Sequence, residues 1–315
     1  MSVLRSVSVG VPVISIGNIT TGGTGKTPLV VNAAKIILDS GKCVAIISRG
    51  YGRKTTGTVV VCDGKTILAD ALSAGDEPLM MAQDLKTAIV IVDEDRVRGA
   101  KKAVVEFGAQ VIILDDGFQH RYIKRTKDIV VIDAGQMPFD TMLLPAGYRR
   151  EWIGSLKRAS AVVITKTKDE GEAERILKDE RLKAVENKFT GSFRPSGIKH
   201  LFSGIARSLE IMNGCSAVLF CGIARPENFR LSVEACGIKV KDLFGFPDHH
   251  IYTTAEIESV IASFQKHSAD VILTTEKDSV RLLEFEHLLM KLPVSVLTMD
   301  AAVHQQNEWK QYLLS

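Results

Sequence analysis

Residues 17–27, Gly17-Asn18-Ile19-Thr20-Thr21-Gly22-Gly23-Thr24-Gly25-Lys26-Thr27, stand between an apolar run, Val11–Ile16, and an amphipathic stretch, Thr27–Ser40. A strand that enters a glycine-rich turn and opens a helix is a strong constraint on fold. Glycine lets the backbone turn its N–H groups onto one point, and the helix N-terminus adds its dipole there. The arrangement suits a phosphate group, with Lys26 placed for the β- and γ-phosphates and the Thr27 hydroxyl for Mg²⁺. The pattern G-x-x-x-x-G-K-[ST] asks for glycine at position 20, and this chain has Thr20. The loop is therefore a variant, with its glycines moved to Gly22 and Gly23.

The segments that follow keep the same rhythm. Strands are expected at Cys43–Ser48, Ala88–Val92, Val111–Leu114, Ile129–Ile132 and Ala161–Thr165, and helices at Pro78–Leu85 and Arg96–Phe107. Thr58–Cys62 and Lys65–Ala69 flank Asp63-Gly64, a two-residue hairpin signal. Short apolar strands alternating with helices predict a P-loop-type α/β fold. It is a mostly parallel sheet flanked by helices, with a hairpin insertion and a smaller second α/β half. The charge-rich stretch 166–188 reads as a linking helix, giving a first domain at 1–165 and a second at 189–315. In the second half the pattern resumes: strands at Ala217–Cys221, Lys239–Phe244, Val271–Thr275 and Val294–Thr298, helices at Pro226–Cys236 and Thr254–His267.

A net charge of +3 argues against a protein built mainly to grip nucleic acid, so any anion handled here must meet a local cluster. The five cysteines are odd in number and show no CxxC spacing, which indicates neither a disulfide framework nor a zinc site. The opening residues MSVLRSVSVGVPVIS lack the cationic start and apolar core of a secretory signal. No run approaches the ~18 apolar residues of a spanning helix. Membrane contact, if any, is expected to be peripheral.

Val111-Ile112-Ile113-Leu114-Asp115-Asp116 is the second chemical motif, a buried strand that delivers carboxylates to a metal beside the phosphate loop. Loop and acids together imply ATP and Mg²⁺. Asn18, Thr21, Gly22, Gly23, Thr24, Gly25, Lys26 and Thr27 form the nucleotide-binding set, and Thr27, Asp115, Asp116 and Glu77 the candidate metal ligands. Nucleotide binding alone leaves open a kinase, another small-molecule P-loop enzyme, or a regulatory ATPase of the partition type. The partition form K-G-G-x-G-K-T carries a lysine where this chain has Thr21.

Further blocks narrow the choice. Ser48-Arg49-Gly50-Tyr51-Gly52-Arg53, Gly75-Asp76-Glu77-Pro78, Asp95-Arg96, Leu114-Asp115-Asp116-Gly117-Phe118-Gln119-His120-Arg121, Gly222-Ile223-Ala224-Arg225-Pro226, Phe246-Pro247-Asp248-His249-His250 and Thr274-Thr275-Glu276-Lys277-Asp278 occur in that order. In type and order they resemble the lipid A 4′-kinase family of Gram-negative bacteria. Two features differ. Family members usually begin with a longer, membrane-seeking segment, whereas about ten residues precede the first strand here. The family's Gly-Pro-Leu-Arg-Glu-Pro stretch stands as Gly147-Tyr148-Arg149-Arg150-Glu151-Trp152.

The resemblance implies transfer of the ATP γ-phosphate to the 4′-hydroxyl of a tetraacylated glucosamine disaccharide 1-phosphate, giving lipid IV-A. It implies peripheral work at the cytoplasmic face of the inner membrane, with no nucleic acid and no obligate protein partner. It makes Asp76 the base that takes the hydroxyl proton and His249 the group that orients it, alongside Lys26. Asp76-Glu77-Pro78 also reads as a helix start with Asp76 as its cap. Arg49, Tyr51, Arg96, Gln119, His120, Arg149 and Arg150 are the candidates for the substrate's sugar and phosphate, arginine because its planar fork meets phosphate oxygens in pairs. Lys124, Arg125 and Lys127 form a basic run suited to a solvated loop or an anionic bilayer.

Overall fold

A computed structural model describes residues 6–248 and 250–315. By contacts the chain divides into two compact units, one of residues up to Phe193 together with Ala301–Ser315, the other of Arg194–Asp300.

The first unit is built on eight strands: β1 (Val13–Gly17), β2 (Val44–Ser48), β3 (Val59–Asp63), β4 (Ile89–Val92), β5 (Val111–Asp115), β6 (Lys127–Asp133), β7 (Ala161–Thr165) and β8 (Asn187–His200), the last of which runs on past the boundary. Their order is β8-β7-β6-β1-β5-β2-β4-β3. All neighbouring pairs are parallel except β3 with β4. The near-continuous Val, Ile and Leu of β1, β2, β4 and β5 suit strands covered on both faces, as parallel strands are. The helices are α1 (Lys26–Asp39), α2 (Ala71–Ala74), α3 (Asp76–Asp84), α4 (Arg96–Phe107) and α5 (Glu170–Leu177). One face of the sheet packs Ala45, Ile47, Ile91, Ile112 and Leu114 against Ala100 and Ala103 of α4. Beyond β1, Val130, Ile132, Val162 and Ile164 close over Phe118, Leu156, Ile176 and Leu182.

The sheet grows in both directions from β1, towards β5-β2-β4 on one side and β6-β7-β8 on the other. Ligands of open α/β sheets bind at such a switch point, outside the carboxyl ends of the strands. The phosphate loop leaves β1 at that point.

The second unit carries β9 (Ala206–Arg207), β10 (Ser216–Cys221), α6 (Pro226–Glu234), β11 (Lys239–Gly245), α7 (Thr254–His267), β12 (Val271–Thr275), α8 (Glu276–Ser279), α9 (Glu286–Leu289) and β13 (Val294–Val303), whose last residues re-enter the first unit. Its parallel order is β11-β10-β12-β13. Asp278 is fully buried and ties two motif blocks of this unit to Tyr252: it accepts from the Gly222 N–H at 3.1 Å, the Tyr252 hydroxyl at 2.9 Å and, within its own block, the Thr275 hydroxyl at 2.6 Å.

Several expectations are corrected. The stretch 166–188 lies inside the first unit, and only Glu170–Leu177 is α-helical, capped by the Asp169 side chain. The units part at 193/194 and 300/301 instead. The second arm of the expected hairpin shrinks to an isolated bridge between Cys62 and Ile67, because Asp63 turns its carboxylate onto the N–H groups of Lys65 and Thr66. Strand β8 was missed since Pro195 and its polar residues read as loop.

The C-terminal helix α10 (Gln306–Leu314) was missed too, and it matters for the site. Its Trp309 is buried, and the indole N–H donates to Asn32 Oδ1 of α1 at 2.9 Å, while Asn32 Nδ2 donates to the Ala301 carbonyl at 2.9 Å. Lys127 Nζ donates to the carbonyls of Leu313 and Ser315 at 3.3 and 2.7 Å. The helix that follows the phosphate loop is thus backed by the last residues of the chain. Trp309→Ala should lower stability by about 3–5 kcal/mol, the range for deleting a buried aromatic side chain. Urea unfolding followed by circular dichroism checks this; a loss below about 1 kcal/mol would mean α10 is a dispensable appendage.

Candidate active site

The loop after β1 is held along one side by the consecutive residues Tyr148, Arg149 and Arg150. Thr20 pairs as an antiparallel bridge with Arg149, Arg150 N–H donates to the Ile19 carbonyl at 2.7 Å, and Thr21 N–H donates to the Tyr148 carbonyl at 2.7 Å. Thr20 is therefore extended and buried, and it needs no glycine. The turn falls at Gly22, with φ 102°, and Gly25, with φ 85°, caps α1. Asn18 is buried, and its Nδ2 donates to Thr24 Oγ1 at 3.0 Å. Asn18 and Thr21, both expected in the nucleotide set, shape the loop through these bonds.

Opposite the loop stands the end of β5. Asp115 is buried; Ser48, at the end of β2, donates to its Oδ2 at 2.9 Å, and its Oδ1 has no partner in the protein. Burial, with Glu77 and then Asp116 nearby, pushes the Asp115 carboxyl up to about 7 against the opposing pull of Ser48 and Lys26. Asp116, in the left-handed region at φ 49°, faces Lys26 Nζ at 3.7 Å and accepts from Arg150 Nη1 at 2.9 Å on each oxygen. Helix α3 brings a third acid: Thr27 Oγ1 donates to Glu77 Oε2 at 3.4 Å. Lys26, Thr27, Glu77, Asp115 and Asp116 thereby stand close together.

Asp76 is buried at the first position of α3, where the cap is Gly75 with φ 88°. The expectation that Asp76 itself caps the helix is not met, because Gly75 closes α2 and opens α3 at once. His249 lies outside the described residues. Its neighbour His250 stacks on Phe246 and contacts both carboxylate oxygens of Glu256 at 3.0 Å.

The block Gly117-Phe118-Gln119-His120 follows the acids and is clamped from below. Phe118 is fully buried; a Cβ on Gly17 would come within 2.8 Å of its N, so only glycine there lets the block lie on β1. Arg125 donates to the carbonyls of Phe118 at 3.2 Å and His120 at 2.7 Å and pairs with Asp128. Arg158 lies over the Phe118 ring at 4.4 Å and pairs with Glu151 at 2.9 Å. Arg125 and Lys127 accordingly turn inward, which overturns the reading of the 124–127 run as a solvated or bilayer-facing patch. Sequence reasoning missed Arg125 and Arg158 as supports, since an arginine among surface-like residues carries no mark of its burial.

Other candidates spread around this centre. Gln119 Nε2 donates to the Asn18 carbonyl at 2.9 Å. Arg96 is buried and held below its ordinary pKa by burial and then by Arg49. His120, half-buried, is likewise lowered by burial and then by Arg96. Arg49 and Tyr51 are exposed on the loop after β2. Arg149 is buried, donates to the Pro138 carbonyl at 3.3 Å and serves its own loop, whereas Arg150 enters the acidic cluster. Arg96 Nε, Asp115 Oδ1, Gln119 Oε1 and His120 Nε2 are buried polar atoms without a protein partner. Such atoms are rare in folded proteins.

The donor set suits a hard cation: a threonine hydroxyl and carboxylates, all oxygen. Among the described residues no three His, Cys, Asp or Glu side chains already converge on one metal point. Mg²⁺ is commonly held by one or two carboxylates, with phosphate oxygens and water completing its shell.

Comparison with known proteins agrees. The family model for tetraacyldisaccharide-1-P 4′-kinase matches residues 1–315. A tetraacyldisaccharide 4′-kinase of Syntrophus aciditrophicus is 34% identical over 320 residues, 98% of this chain and 85% of that one. Its counterpart in Chlorobaculum parvum is 41% identical over 277 residues, 87% of this chain and 76% of that one. The crystal structure of LpxK from Aquifex aeolicus in complex with ATP superposes with a TM-score of 0.79 at 30% identity, covering 99% of this chain and 90% of that one. With a phosphate loop facing acids at the end of β5 and a match along its whole length, this chain belongs to the tetraacyldisaccharide 1-phosphate 4′-kinase family.

Proposed function

We propose that this kinase transfers the γ-phosphate of ATP to the 4′-hydroxyl of its lipid disaccharide with Asp76 as the base and Lys26 on the transferring phosphate. The observation that carries the assignment is the convergence of Lys26, Thr27, Glu77, Asp115 and Asp116 at the β1 switch point. Asp76 stands one residue before Glu77, whose carboxylate already reaches Thr27. It would take the hydroxyl proton as the sugar oxygen attacks the γ-phosphorus and ADP leaves. Thr27, Asp115 and Glu77 are the groups to hold Mg²⁺, which when bound neutralises charge on the phosphate oxygens. Arg150 and Lys26 fix Asp116 and bring positive charge to the same place. Arg49, Arg96, Gln119 and His120 line the acceptor side, Arg49 exposed and the others with buried polar atoms that lack a protein partner, and their chemistry suits sugar hydroxyls and phosphate. Family membership favours this reading over a regulatory ATPase or a kinase of another small molecule.

The substrate's acyl chains place the work at a membrane, and we assign a peripheral position at the cytoplasmic face of the inner membrane. Among the described residues no helix is long and apolar enough to cross a bilayer. Support for contact comes from the loop tied to the phosphate loop, where Met142, Leu144 and Trp152 are exposed at 67%, 53% and 72%.

Three outcomes are expected. With ATP labelled on its γ-phosphate, label should pass to the tetraacyl disaccharide 1-phosphate in detergent micelles. Lys26→Ala should abolish transfer, and Asp76→Ala should slow it roughly 10²–10⁴-fold while ATP still binds. Turnover of ATP that Asp76→Ala leaves intact, with no labelled lipid, would sink the assignment.

The second outcome concerns pH. Mg²⁺ needs Asp115 ionised, and its carboxyl holds a proton up to about 7. The Mg²⁺ concentration for half-maximal activity should be flat above about pH 7 and rise by roughly tenfold for each unit below it. In metal-free protein the sign is opposite: protonated Asp115 favours the fold at low pH, a contribution lost as pH rises through about 7. A Mg²⁺ requirement unchanged across this range would remove Asp115 from the metal site.

The third uses the chain's two tryptophans. Trp309 is buried, so a blue shift of emission on adding phospholipid vesicles should come from Trp152 and vanish in Trp152→Phe. No shift in the parent protein would count against membrane contact at this loop.

A further inference from the structure

The second unit holds a cavity that contains none of its motif blocks. It measures about 450 Å³, within the range of small-molecule sites. It lies at the amino ends of β10, β12 and β13: Cys215 precedes β10, Val271 opens β12 and Ser295 is the second residue of β13. These strands run parallel, so the blocks at Gly222–Pro226 and Thr274–Asp278 stand at the opposite end of the same sheet. The hairpin of β8 and β9 forms one wall, through Ile198 and the residue paired with it, Arg207. Residues directly opposite in a ladder share a face, so the Arg207 stem runs beside Ile198. Residues 290–293, between α9 and β13, form the other wall.

The lining has two chemistries. Ile198, Met212 and Val271 are buried and make an apolar floor, while Ile205 and Met290, exposed at 58% and 62%, flank the mouth. Arg207 and Lys291 are exposed at the rim, and among the described residues neither has a carboxylate partner. His200 adds a third donor: its Nδ1 accepts from the Ser203 N–H at 3.2 Å, which puts the ring proton on Nε2. Asp270, the acid of the lining, is committed elsewhere. Its Oδ2 accepts from the Ser216 N–H at 2.7 Å and the Ser216 hydroxyl at 2.8 Å, tying the start of β12 to β10. Two cations against one carboxylate leave the rim positive. A positive rim over an apolar floor matches a molecule built the same way, an anionic head on an apolar tail. The head meets the arginine fork, and the tail covers side chains that water would otherwise wet. Among the described residues no Phe, Tyr or Trp lines the cavity, so a nucleotide would find no ring to stack on.

We propose that this cavity binds a single-chain anionic amphiphile, a fatty acid carboxylate, with its head on Arg207 and Lys291 and its chain on Ile198, Met212 and Val271. The site shares no residue with the phosphate loop or its acids, and it does not rest on the kinase reading. A ligand seated there touches both the β8–β9 hairpin and the segment before β13, and so stabilises the folded second unit.

Calorimetry on the full-length protein tests this with decanoate, kept below its micelle-forming concentration, against three probes. Butyrate lacks the chain, decyltrimethylammonium reverses the charge, and inorganic phosphate offers an anion alone. Decanoate should bind at a single site, at least about tenfold more tightly than any of the three. Arg207→Gln combined with Lys291→Gln should weaken decanoate by about tenfold or more, the scale of a lost charge-assisted hydrogen bond. The same variant should keep the parent's melting temperature and kinase activity, because neither side chain holds a partner in the protein. Ile205→Ser should weaken decanoate and leave butyrate unchanged. A parent protein that fails to bind decanoate, or binds decyltrimethylammonium equally well, would overturn the site. Phosphate or butyrate bound as tightly as decanoate would reduce it to a plain anion patch. Decanoate affinity unmoved in the double variant would put the binding elsewhere, and either result also overturns the proposal.

Discussion

Negative charge buried at the end of a parallel strand is the constraint to which the rest of the first unit answers. Asp115 leaves water almost completely, with Glu77 and Asp116 close enough to raise its pKa further. An isolated carboxylate in such a place would give up its charge, so the fold must bring cations and donors to it. Ser48 of the neighbouring strand donates to Asp115 itself, while Lys26 from the phosphate loop and Arg150 from the loop that braces it pair with Asp116 beside it. Each comes from a different element, so the packing of β1, β2, β5, α1 and α3 and the electrostatics of the site cannot be separated. The carboxylate that remains raised is the one with an oxygen left over, which is where a metal gains most.

Much of this was legible in the sequence, and the reason is geometric. A strand, glycines and Gly25-Lys26-Thr27 can satisfy their backbone in few ways, so α1 and β1 fell within two residues of expectation. Apolar runs such as Val111–Leu114 gave the strands, and the helix expected at Arg96–Phe107 forms over those residues, with the Asp95 side chain accepting from the Val97 and Arg98 N–H groups. Failures came where tertiary contact overrides local pattern. Strand β8 holds Pro195, and α10 is polar except for the few positions, Trp309 and Leu313 among them, that meet the core. Nothing local distinguishes Arg125 or Lys127, which turn inward, from Lys124, which is exposed.

The candidate residues sorted in the same way. Those defined by the chemistry of phosphate and metal, Lys26, Thr27, Glu77, Asp115 and Asp116, came together in space. Those chosen for residue type divided according to burial: Arg150 joined the acids, and Arg149, next to it, was spent on the Pro138 carbonyl and on covering Trp152 at 6.0 Å. Alternation along an extended segment explains the split, since adjacent side chains of a strand point to opposite faces. Arg149 sits in a bridge to Thr20, so Arg150 has to point towards the loop's other side.

That bridge also accounts for the unusual threonine. A phosphate loop with glycine at position 20 would wrap its own first turn freely. Here the first turn is instead made rigid from outside, by the Thr20–Arg149 bridge and by the bonds from Arg150 N–H to Ile19 and from Thr21 N–H to Tyr148. The segment that does this is the one that delivers Arg150 to Asp116 and Asn18 and exposes Met142, Leu144 and Trp152. Exchanging a flexible glycine for a strand-like contact thus couples three things that a lipid kinase must coordinate: the shape of the phosphate cradle, the charge beside its metal, and an apolar surface at its rim. A glycine at position 20 would restore the common motif and loosen that coupling, because the backbone freedom it brings opposes the extended bridge.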